Sequence, residues 1–425
     1  MATNKKTNKT LACSCCPATN KKDFGVYISD SESGLVLCSA CIQAYNTSLQ
    51  LILGSNKTEL GKENDLLPSP KDIFQALNRD VIKQDCAKRS IAIAVAHHYR
   101  RLRDPSIGKS NILLMGPTGT GKTELARSVA KFLNVPFASI DASALTAKGY
   151  IGEDADSAIK KLLYSTNWDV AKAETGIVFI DEIDKIARRD GPNSGEIGTT
   201  AVQQQLLKVL EGDKIQVKIP SDDGREFIAL VDTSKILFIC SGAFVGLEEI
   251  VNNDSVSSRK IGIGANSEEK KDNKKTSFHS RIQAEHLIKF GLIPEFYGRL
   301  PIITSTELLT VDDLIKILKE PQNSLVKQYQ ALFKQDGVDI NFHDDFLKSV
   351  GQEAERRKIG ARGLRQVMEQ KMEDLHFNID QYRNQRIEIY PDGKVMSHPL
   401  ETKQKKILVP TEKALAKVSV ATKNK

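Results

Sequence analysis

A glycine-rich turn between a short apolar run and a helix-like segment strongly restricts what this chain can fold into. The run Ile112–Met115 predicts a buried strand, and the residues from Thr123 onwards predict a helix. Between them lies Gly116-x-x-x-x-Gly121-Lys122-Thr123, which matches the P-loop pattern in full. Glycines let backbone N–H groups wrap phosphate oxygens, and the following helix directs its positive end at them. The stretch therefore predicts a strand, a phosphate-binding loop and a helix in that order.

Each residue of this loop has an expected part in holding a nucleotide. Lys122 should reach the β- and γ-phosphates, and Thr123 should hold Mg²⁺. A glycine-rich turn that binds nothing is the alternative, and the required order of strand, loop and helix disfavours it. The residues predicted to bind the nucleotide here are Pro117, Thr118, Gly119, Thr120, Gly121, Lys122, Thr123 and Glu124.

A second strand that ends in acids complements the loop. The segment Ile177–Asp184 reads IVFIDEID, with four apolar β-formers before Asp181 and Glu182. Buried strands of parallel sheets have this pattern, and ligands bind at their carboxyl ends. Asp181 should hold Mg²⁺ through water, and Glu182 should polarise the attacking water. An ordinary strand before a charged helix start is the alternative. Together the two motifs predict hydrolysis of a nucleoside triphosphate, with ATP the favoured substrate.

Length and composition limit the remaining possibilities. A chain of 425 residues with 40% hydrophobic and 27% charged residues is typical of a globular protein of two to three domains. The net charge of +7 is too small to favour a dedicated nucleic-acid binder. No apolar run approaches the roughly 18 residues of a membrane span. The N-terminal lysines have no apolar region behind them, so we expect a cytoplasmic protein without membrane attachment.

The cysteines cluster near the N-terminus. Five of the seven lie between Cys13 and Cys41, and Cys13/Cys16 and Cys38/Cys41 form two C-x₂-C pairs. Two such pairs complete a tetrahedral Zn²⁺ site, and metal would stabilise a segment too short for its own core. Cys15 remains an alternative ligand to Cys16, and free or redox-active thiols remain an alternative to zinc.

Two further positions carry side chains of interest. Tyr150 lies between Gly149 and Gly152, a setting that can present an aromatic ring to something mobile. A buried tyrosine after a turn is an equally good interpretation. The apolar segment Ser234–Cys240 predicts another buried strand, and Ser241 at its end could sense a γ-phosphate.

Taken together, these motifs resemble the ClpX family, the ATPase and unfoldase subunits of Clp proteases within the AAA+ superfamily. The resemblance covers roughly residues 11–390. HslU-type ATPases share the P-loop and pore motifs but lack the zinc domain. The resemblance rests on the Cys₄ pattern and on GPTGTGKT at 116–123, GYIGED at 149–154, IVFIDEIDKI at 177–186, VDTSKILFIC at 231–240, LIPEFYGRLP at 292–301 and GARGLR at 360–365.

The resemblance implies an α/β fold. It consists of an AAA+ P-loop domain with a parallel sheet flanked by helices, a small mostly helical C-terminal domain and an N-terminal Cys₄ zinc-binding domain. The expected boundaries are a disordered tail at 1–12, the zinc domain at 13–53, a linker at 54–70, the large domain at 71–305, the small domain at 306–398 and a basic tail at 399–425.

The resemblance also assigns roles to single residues. Tyr150 matches the pore-loop aromatic that grips substrate. Arg299 matches the finger that reaches the γ-phosphate of a neighbouring subunit. Arg362 matches the second sensor, which contacts ATP from the small domain. Val81 and Ile82 match the segment that contacts adenine.

Three positions depart from the family pattern. Lys83 stands where the family usually has glycine, so the sequence does not establish that the family's backbone conformation is kept there. The second pore loop, between Lys218 and Phe227, is short and lacks the basic family signature, so recognition of acidic degrons is expected to differ. The peptidase-docking tripeptide, usually Ile-Gly-Phe, is Ile261-Gly262-Ile263 here.

The implied function is a homohexameric, ATP-driven unfoldase that feeds protein substrates, directly or through adaptors, to a ClpP-type peptidase. Its expected cofactors are ATP, Mg²⁺ and Zn²⁺. One alternative is an AAA+ remodelling chaperone without a peptidase. A second alternative, from another class, is a zinc-ribbon NTPase that binds nucleic acid.

Overall fold

The computed structural model describes most of the chain between residues 67 and 399. Predictions that fall elsewhere lie outside the described residues. Two short strands near the N-terminus, β1 (Tyr27–Ser29) and β2 (Val36–Cys38), pair antiparallel with Tyr27 opposite Cys38. No helix of the described residues is long and apolar enough to span a membrane. The described residues are 67–145, 155–187, 196–220, 226–257 and 281–399, with Ser14, 27–29, 36–38 and Cys41.

The large domain contains nine helices and seven strands within the described ranges. Its strands are β3 (Ile112–Met115), β4 (Phe137–Asp141), β5 (Ile177–Asp181), β6 (Lys214–Pro220), β7 (Glu226–Asp232), β8 (Leu237–Gly242) and β9 (Ile302–Ser305). Its helices are α1 (Pro70–Asp80), α2 (Asp85–Arg101), α3 (Lys122–Leu133), α4 (Ser157–Ser165), α5 (Val170–Ala173), α6 (Glu196–Glu211), α7 (Leu247–Ser257), α8 (Ala284–Phe290) and α9 (Pro294–Arg299).

Five of these strands form a parallel sheet in the order β4-β5-β8-β3-β9, with helices on both faces. Alternate residues of β3 point to opposite faces, so Leu113 and Met115 join one apolar core while Ile112 and Leu114 join the other. All four are buried, as expected for a central parallel strand. The predicted α/β fold class is confirmed for this domain.

The register of the sheet brings the predicted functional strand ends together. Met115 pairs with Gly242 across β3 and β8, and Gly116 N–H donates to the Gly242 carbonyl at 3.1 Å. β5 pairs with the other side of β8. The P-loop, the acids after β5 and the end of β8 therefore lie along one edge of the sheet. Strands β6 and β7 form a separate antiparallel hairpin.

The small domain combines four helices with a three-stranded sheet. β10 (Asp339–Phe342) pairs parallel with β11 (Gln385–Ile389), and β11 pairs antiparallel with β12 (Val395–Pro399). The predicted mostly helical small domain is confirmed, and it also contains this short sheet. Phe333, Phe346 and Ile340 share its apolar core. The elements are α10 (Val311–Lys319), α11 (Leu325–Gln335), β10 (Asp339–Phe342), α12 (Asp344–Arg356), α13 (Arg362–Phe377), β11 (Gln385–Ile389) and β12 (Val395–Pro399).

Candidate nucleotide-binding site

The loop between β3 and α3 has the backbone that its glycines permit. Gly116, Gly119 and Gly121 have φ values of 137°, 78° and 94°. Residues other than glycine rarely adopt such angles. Lys122 Nζ donates to the Gly116 and Pro117 carbonyls at 2.7 and 2.9 Å. The lysine head group therefore lies against the loop that it is predicted to serve.

The surroundings of Lys122 shift the pKa of its side chain. Burial lowers its pKa, and the Asp181 and Asp184 carboxylates oppose that shift. The Arg362 guanidinium lowers the pKa further, so this arginine of the small domain lies within electrostatic range of the P-loop lysine. An anion between the two cations would relieve their repulsion, which suits the site to polyphosphate.

Hydrogen bonds fix the acids at the end of β5. Asp181 Oδ1 accepts from Ser241 Oγ at 2.7 Å and from Glu182 N–H at 3.0 Å. Glu182 has a left-handed backbone with φ of 56°, which turns the chain sharply after the strand. Asp184 Oδ1 accepts from Ala243 N–H at 3.2 Å. The ends of β5 and β8 are thus tied together beside the P-loop.

A cavity of about 680 Å³ lies over these groups, between the large and small domains. Its volume is in the range of ligand sites, about 300–1,000 Å³. The structure brings most of the predicted residues to its wall. Those that line it are Thr118, Gly119, Gly121, Lys122, Thr123, Glu124, Asp181, Glu182 and Arg362.

Four residues predicted to bind nucleotide do not line this cavity among the residues described. Thr120 is buried, and its hydroxyl donates to the Pro117 carbonyl at 2.8 Å, so both support the loop. Val81 is also buried, and its Cγ1 lies 3.9 Å from where a Cβ on Gly121 would stand. Ile82 is half-buried. Val81 therefore packs beside the P-loop.

Two arginines rather than one reach the cavity from the small domain. Arg365 lies three residues after Arg362 on α13, and both line the wall. Residues three apart share a helix face, so the GARGLR motif itself could have indicated Arg365. Its Nη2 donates to Gln328 Oε1 at 2.6 Å, and Gln328 also lines the cavity. Sequence reasoning also missed Asp184, although it is the third acid of the IVFIDEID motif.

The tip of the P-loop contacts the small domain through the backbone. Ala361 N–H donates to the Gly119 carbonyl at 2.9 Å. A Cβ on Gly119 would lie 2.5 Å from the Ile359 carbonyl oxygen, and a Cβ on Gly360 would lie 2.8 Å from the Gly119 oxygen. Only glycines permit so close an approach at these two positions.

A second connection runs from Lys83 and Gln84, which precede α2. Their φ values of 59° and 63° show that the left-handed backbone is present despite lysine in the usual glycine position. Lys83 Nζ donates to the Leu308 carbonyl at 2.8 Å and to Asp313 Oδ2 at 2.9 Å. Gln84 exchanges hydrogen bonds of 2.7 and 2.8 Å with the backbone of Glu307. Both side chains tie the large domain to the start of the small domain.

Arg299 lies away from this cavity in the described structure. It ends α9, where its Nε donates to Glu211 Oε1 at 3.0 Å. Its side chain is 48% exposed. This placement suits a residue that acts on a neighbouring subunit rather than on its own nucleotide.

Several predicted positions lie outside the described residues. These are Tyr150, Cys13, Cys16, the tip of the second pore loop and Ile261–Ile263. Of the remaining cysteines, Cys38 ends β2 and Cys41 follows three residues later, half-buried. Within the described ranges, no three His, Cys, Asp or Glu residues are grouped closely enough to hold a metal ion.

The parallel sheet, the P-loop after β3 and the acids after β5 define a P-loop ATPase of the AAA class. Residues 108–303 match the family model of the AAA domain (Cdc48 subfamily), and residues 309–377 match that of the C-terminal, D2-small domain of ClpB protein. The "ATP-dependent Clp protease ATP-binding subunit ClpX" of Treponema denticola is 39% identical over 380 residues, covering 86% of this chain and 89% of that protein. The chain belongs to the ClpX family, as its motifs predicted.

Proposed function

We propose that this chain is an ATP-driven protein unfoldase that delivers its substrates to a ClpP-type peptidase. One observation carries the proposal: a single cavity is lined by Lys122, by the acids at the end of β5 and by Arg362 of the small domain. Hydrolysis at such a junction can move one domain against the other. Membership of the ClpX family supports protein unfolding as the work that this motion performs.

In the proposed site, the residues already in place divide the chemistry. Lys122 and Arg362 hold the phosphates; Thr123 and, through water, Asp181 would hold Mg²⁺, which would supply positive charge to the transferred phosphoryl group. Ser241 keeps the Asp181 carboxylate oriented through its 2.7 Å hydrogen bond. Glu182 orients and polarises the attacking water. Val81 and Ile82 support the adenine side.

The proposed assembly is a homohexamer. Arg299 supplies its guanidinium to the γ-phosphate in the next subunit, where it stabilises charge in the transition state. Tyr150 grips the substrate polypeptide in the axial pore. The exposed position of Arg299 at the end of α9 supports an intersubunit role.

Two further parts of the proposal concern partners and zinc. Cys13, Cys16, Cys38 and Cys41 hold one Zn²⁺ and stabilise a domain that receives adaptors. Cys38 ends β2 and Cys41 follows three residues later, the spacing that one metal-binding turn requires. Ile261-Gly262-Ile263 docks on the peptidase, with Ile263 replacing the usual phenylalanine.

A stand-alone remodelling chaperone is the second candidate, and the Ile263 substitution favours it. A smaller apolar side chain buries less area in a docking cleft, and the loss is multiplied over the several loops of a ring. The two candidates share the ATPase and differ only in whether a peptidase is engaged.

Degradation of a tagged, folded fluorescent reporter tests the proposal, with the cognate peptidase added or omitted. We expect ATP-dependent loss of fluorescence in both cases and peptide products only with peptidase. Glu182→Gln should retain ATP binding and lose hydrolysis by about a hundredfold or more, and it should lose unfolding with it. Unfolding without peptide products would support the stand-alone chaperone. ATPase stimulation by nucleic acid, without unfolding, would contradict the proposal.

A further inference from the structure

The last residues of α6 and α9 form an ion pair at the opposite end of β3 from the P-loop. Glu211 Oε1 accepts from Arg299 Nε at 3.0 Å and lies 2.8 Å from Nη2. Because a guanidinium is planar and rigid, a hold on its Nε–Nη2 edge fixes the direction of its Nη1 edge. The two side chains are 48% and 36% exposed, and pairs so exposed contribute little to stability. Their geometry therefore indicates orientation rather than stabilisation.

A buried asparagine fixes the two helix ends relative to each other. Asn111 is 1% exposed, and its Nδ2 donates to the Arg299 carbonyl at 3.1 Å and to the Leu210 carbonyl at 3.2 Å. Its Oδ1 accepts from Phe238 N–H at 3.3 Å. One buried amide thus joins the backbone of Arg299 to the residue that precedes Glu211. The separation of the paired side chains is set by the core of the domain.

A neighbouring cation, Lys109, makes the contact between Glu211 and the Arg299 guanidinium more important. Lys109 Nζ donates to the Leu210 and Thr233 carbonyls at 2.8 and 3.0 Å. Arg299 is among the positive groups that lower the pKa of Lys109, after burial and Arg101, so the two charges lie within range of each other. Repulsion from Lys109 would push the guanidinium away from this position, and the Glu211 carboxylate offsets it.

We propose that Glu211 is a positioning residue for hydrolysis in the neighbouring subunit: it holds the Nε edge of Arg299 so that the Nη1 edge is directed outward, toward the neighbour's γ-phosphate. The inference rests on the proposed intersubunit role of Arg299. It assigns to Glu211 no contact with nucleotide, and its effect is transmitted only through the guanidinium.

Steady-state ATPase kinetics of Glu211→Ala hexamers provide the first test. Misplacement of a guanidinium that acts in the transition state should lower kcat about tenfold and leave KM for ATP unchanged. Glu211→Gln keeps a hydrogen-bond acceptor without the charge, so its kcat should lie between those of the parent and of Glu211→Ala. Glu353→Ala is the matched control, because Glu353 likewise holds arginines, Arg356 and Arg357, at 2.7 Å, and none of the three lines the nucleotide cavity. Its kcat should match the parent.

A double variant separates positioning from a structural role. If Glu211 acts only through Arg299, Glu211→Ala should add no further loss of kcat in an Arg299→Ala background. Mixing Glu211→Ala with Glu182→Gln subunits should also restore activity, because the Glu182→Gln subunits donate correctly held fingers to intact sites. If Glu211→Ala does not assemble into hexamers, the double-variant and mixing experiments with Glu211→Gln test the positioning role instead.

The outcomes for the positioning role of Glu211 and for the intersubunit role of Arg299 differ. Parental kcat in Arg299→Ala would overturn the intersubunit finger itself. A large loss in Arg299→Ala, together with parental kcat in Glu211→Ala, would overturn only the positioning role. Additive losses in the double variant would also overturn it, since they would show that Glu211 acts independently of Arg299.

Discussion

His98 is a buried histidine in a position that cannot readily accept a proton. It lies on α2 with no exposed surface, and its Nε2 is 3.0 Å from the Lys235 carbonyl oxygen. Its Nδ1 has no hydrogen-bond partner among the described residues. Burial and, next, the charge of Lys109 lower its pKa from 6.5 to about 3. The native protein therefore keeps this ring neutral at pH values where an unfolded chain would protonate it.

The consequence is acid sensitivity with a defined sign. Between pH 6.5 and pH 3 the unfolded state binds a proton that the native state does not, so the free energy of unfolding falls as the pH falls. The slope from this residue approaches roughly 1.4 kcal/mol per pH unit. His98→Gln, whose amide can still donate to the Lys235 carbonyl, should reduce this slope in urea unfolding at several pH values. Exposed His97→Gln is the control, and equal slopes for His98→Gln and the parent would contradict the assignment.

Single residues also show where sequence reasoning succeeds. The proximity of Lys122, Asp181 and Ser241 was predictable because each lies at or beyond the carboxyl end of an apolar run, and parallel strands bring such ends to one edge. The pairing of Arg299 with Glu211 was not, because their 88-residue separation leaves no local pattern. The conformation of Lys83 could not be read from its residue type, since the surrounding hydrogen bonds hold it at a positive φ.

At the scale of elements, the contact between the P-loop and the start of α13 is the most testable feature. Gly360→Ala would place a Cβ 2.8 Å from the Gly119 carbonyl oxygen, so the loop or the small domain must shift. We expect ATP affinity to fall about tenfold, as the shift displaces phosphate-binding backbone. The effect can be measured without turnover by introducing Gly360→Ala into Glu182→Gln. The affinity of this double variant for a fluorescent ATP analogue is then compared with that of Glu182→Gln alone.

Gly393→Ala is the matched control for backbone strain. Gly393 has φ of 77°, comparable with 59° at Gly360, but a Cβ there would meet no atom within 4 Å. Both substitutions carry the cost of a positive φ, about 1–2 kcal/mol, and only one disturbs the loop. Equal nucleotide affinities for the two variants would mean that the loop contact is unimportant for binding.

Element boundaries show the limits of local patterns. The apolar runs of β3, β5 and β8 and the start of α3 were predicted to within a few residues. β10 was missed because its sequence, Asp-Ile-Asn-Phe, is short and buries only Ile340 fully. It exists through parallel pairing with β11, more than 40 residues later in the chain, which local propensity does not encode.

At the scale of the whole molecule, two inactive variants should restore each other. Glu182→Gln lacks the carboxylate proposed to polarise water, and Arg299→Ala lacks the guanidinium proposed to act in the next subunit of a hexamer, so each alone should lose hydrolysis. In randomly mixed hexamers, about a quarter of the sites would combine an intact Glu182 with a neighbour's intact Arg299. ATPase activity should therefore return on mixing. No recovery in hexamers shown to contain both variants would argue that Arg299 does not act across a subunit interface.

The direct contact of the Gly119 and Gly360 backbones has a thermodynamic consequence. At this contact the two backbones meet with no side chain between them, so the geometry of the P-loop tip and that of the small domain constrain each other there. Linkage is reciprocal: if the presence of ATP biases the angle between the domains, then an external torque on that angle must change ATP affinity by the same free energy. A substrate polypeptide that resists movement of the small domain would thus apply a mechanical load that changes ATP affinity.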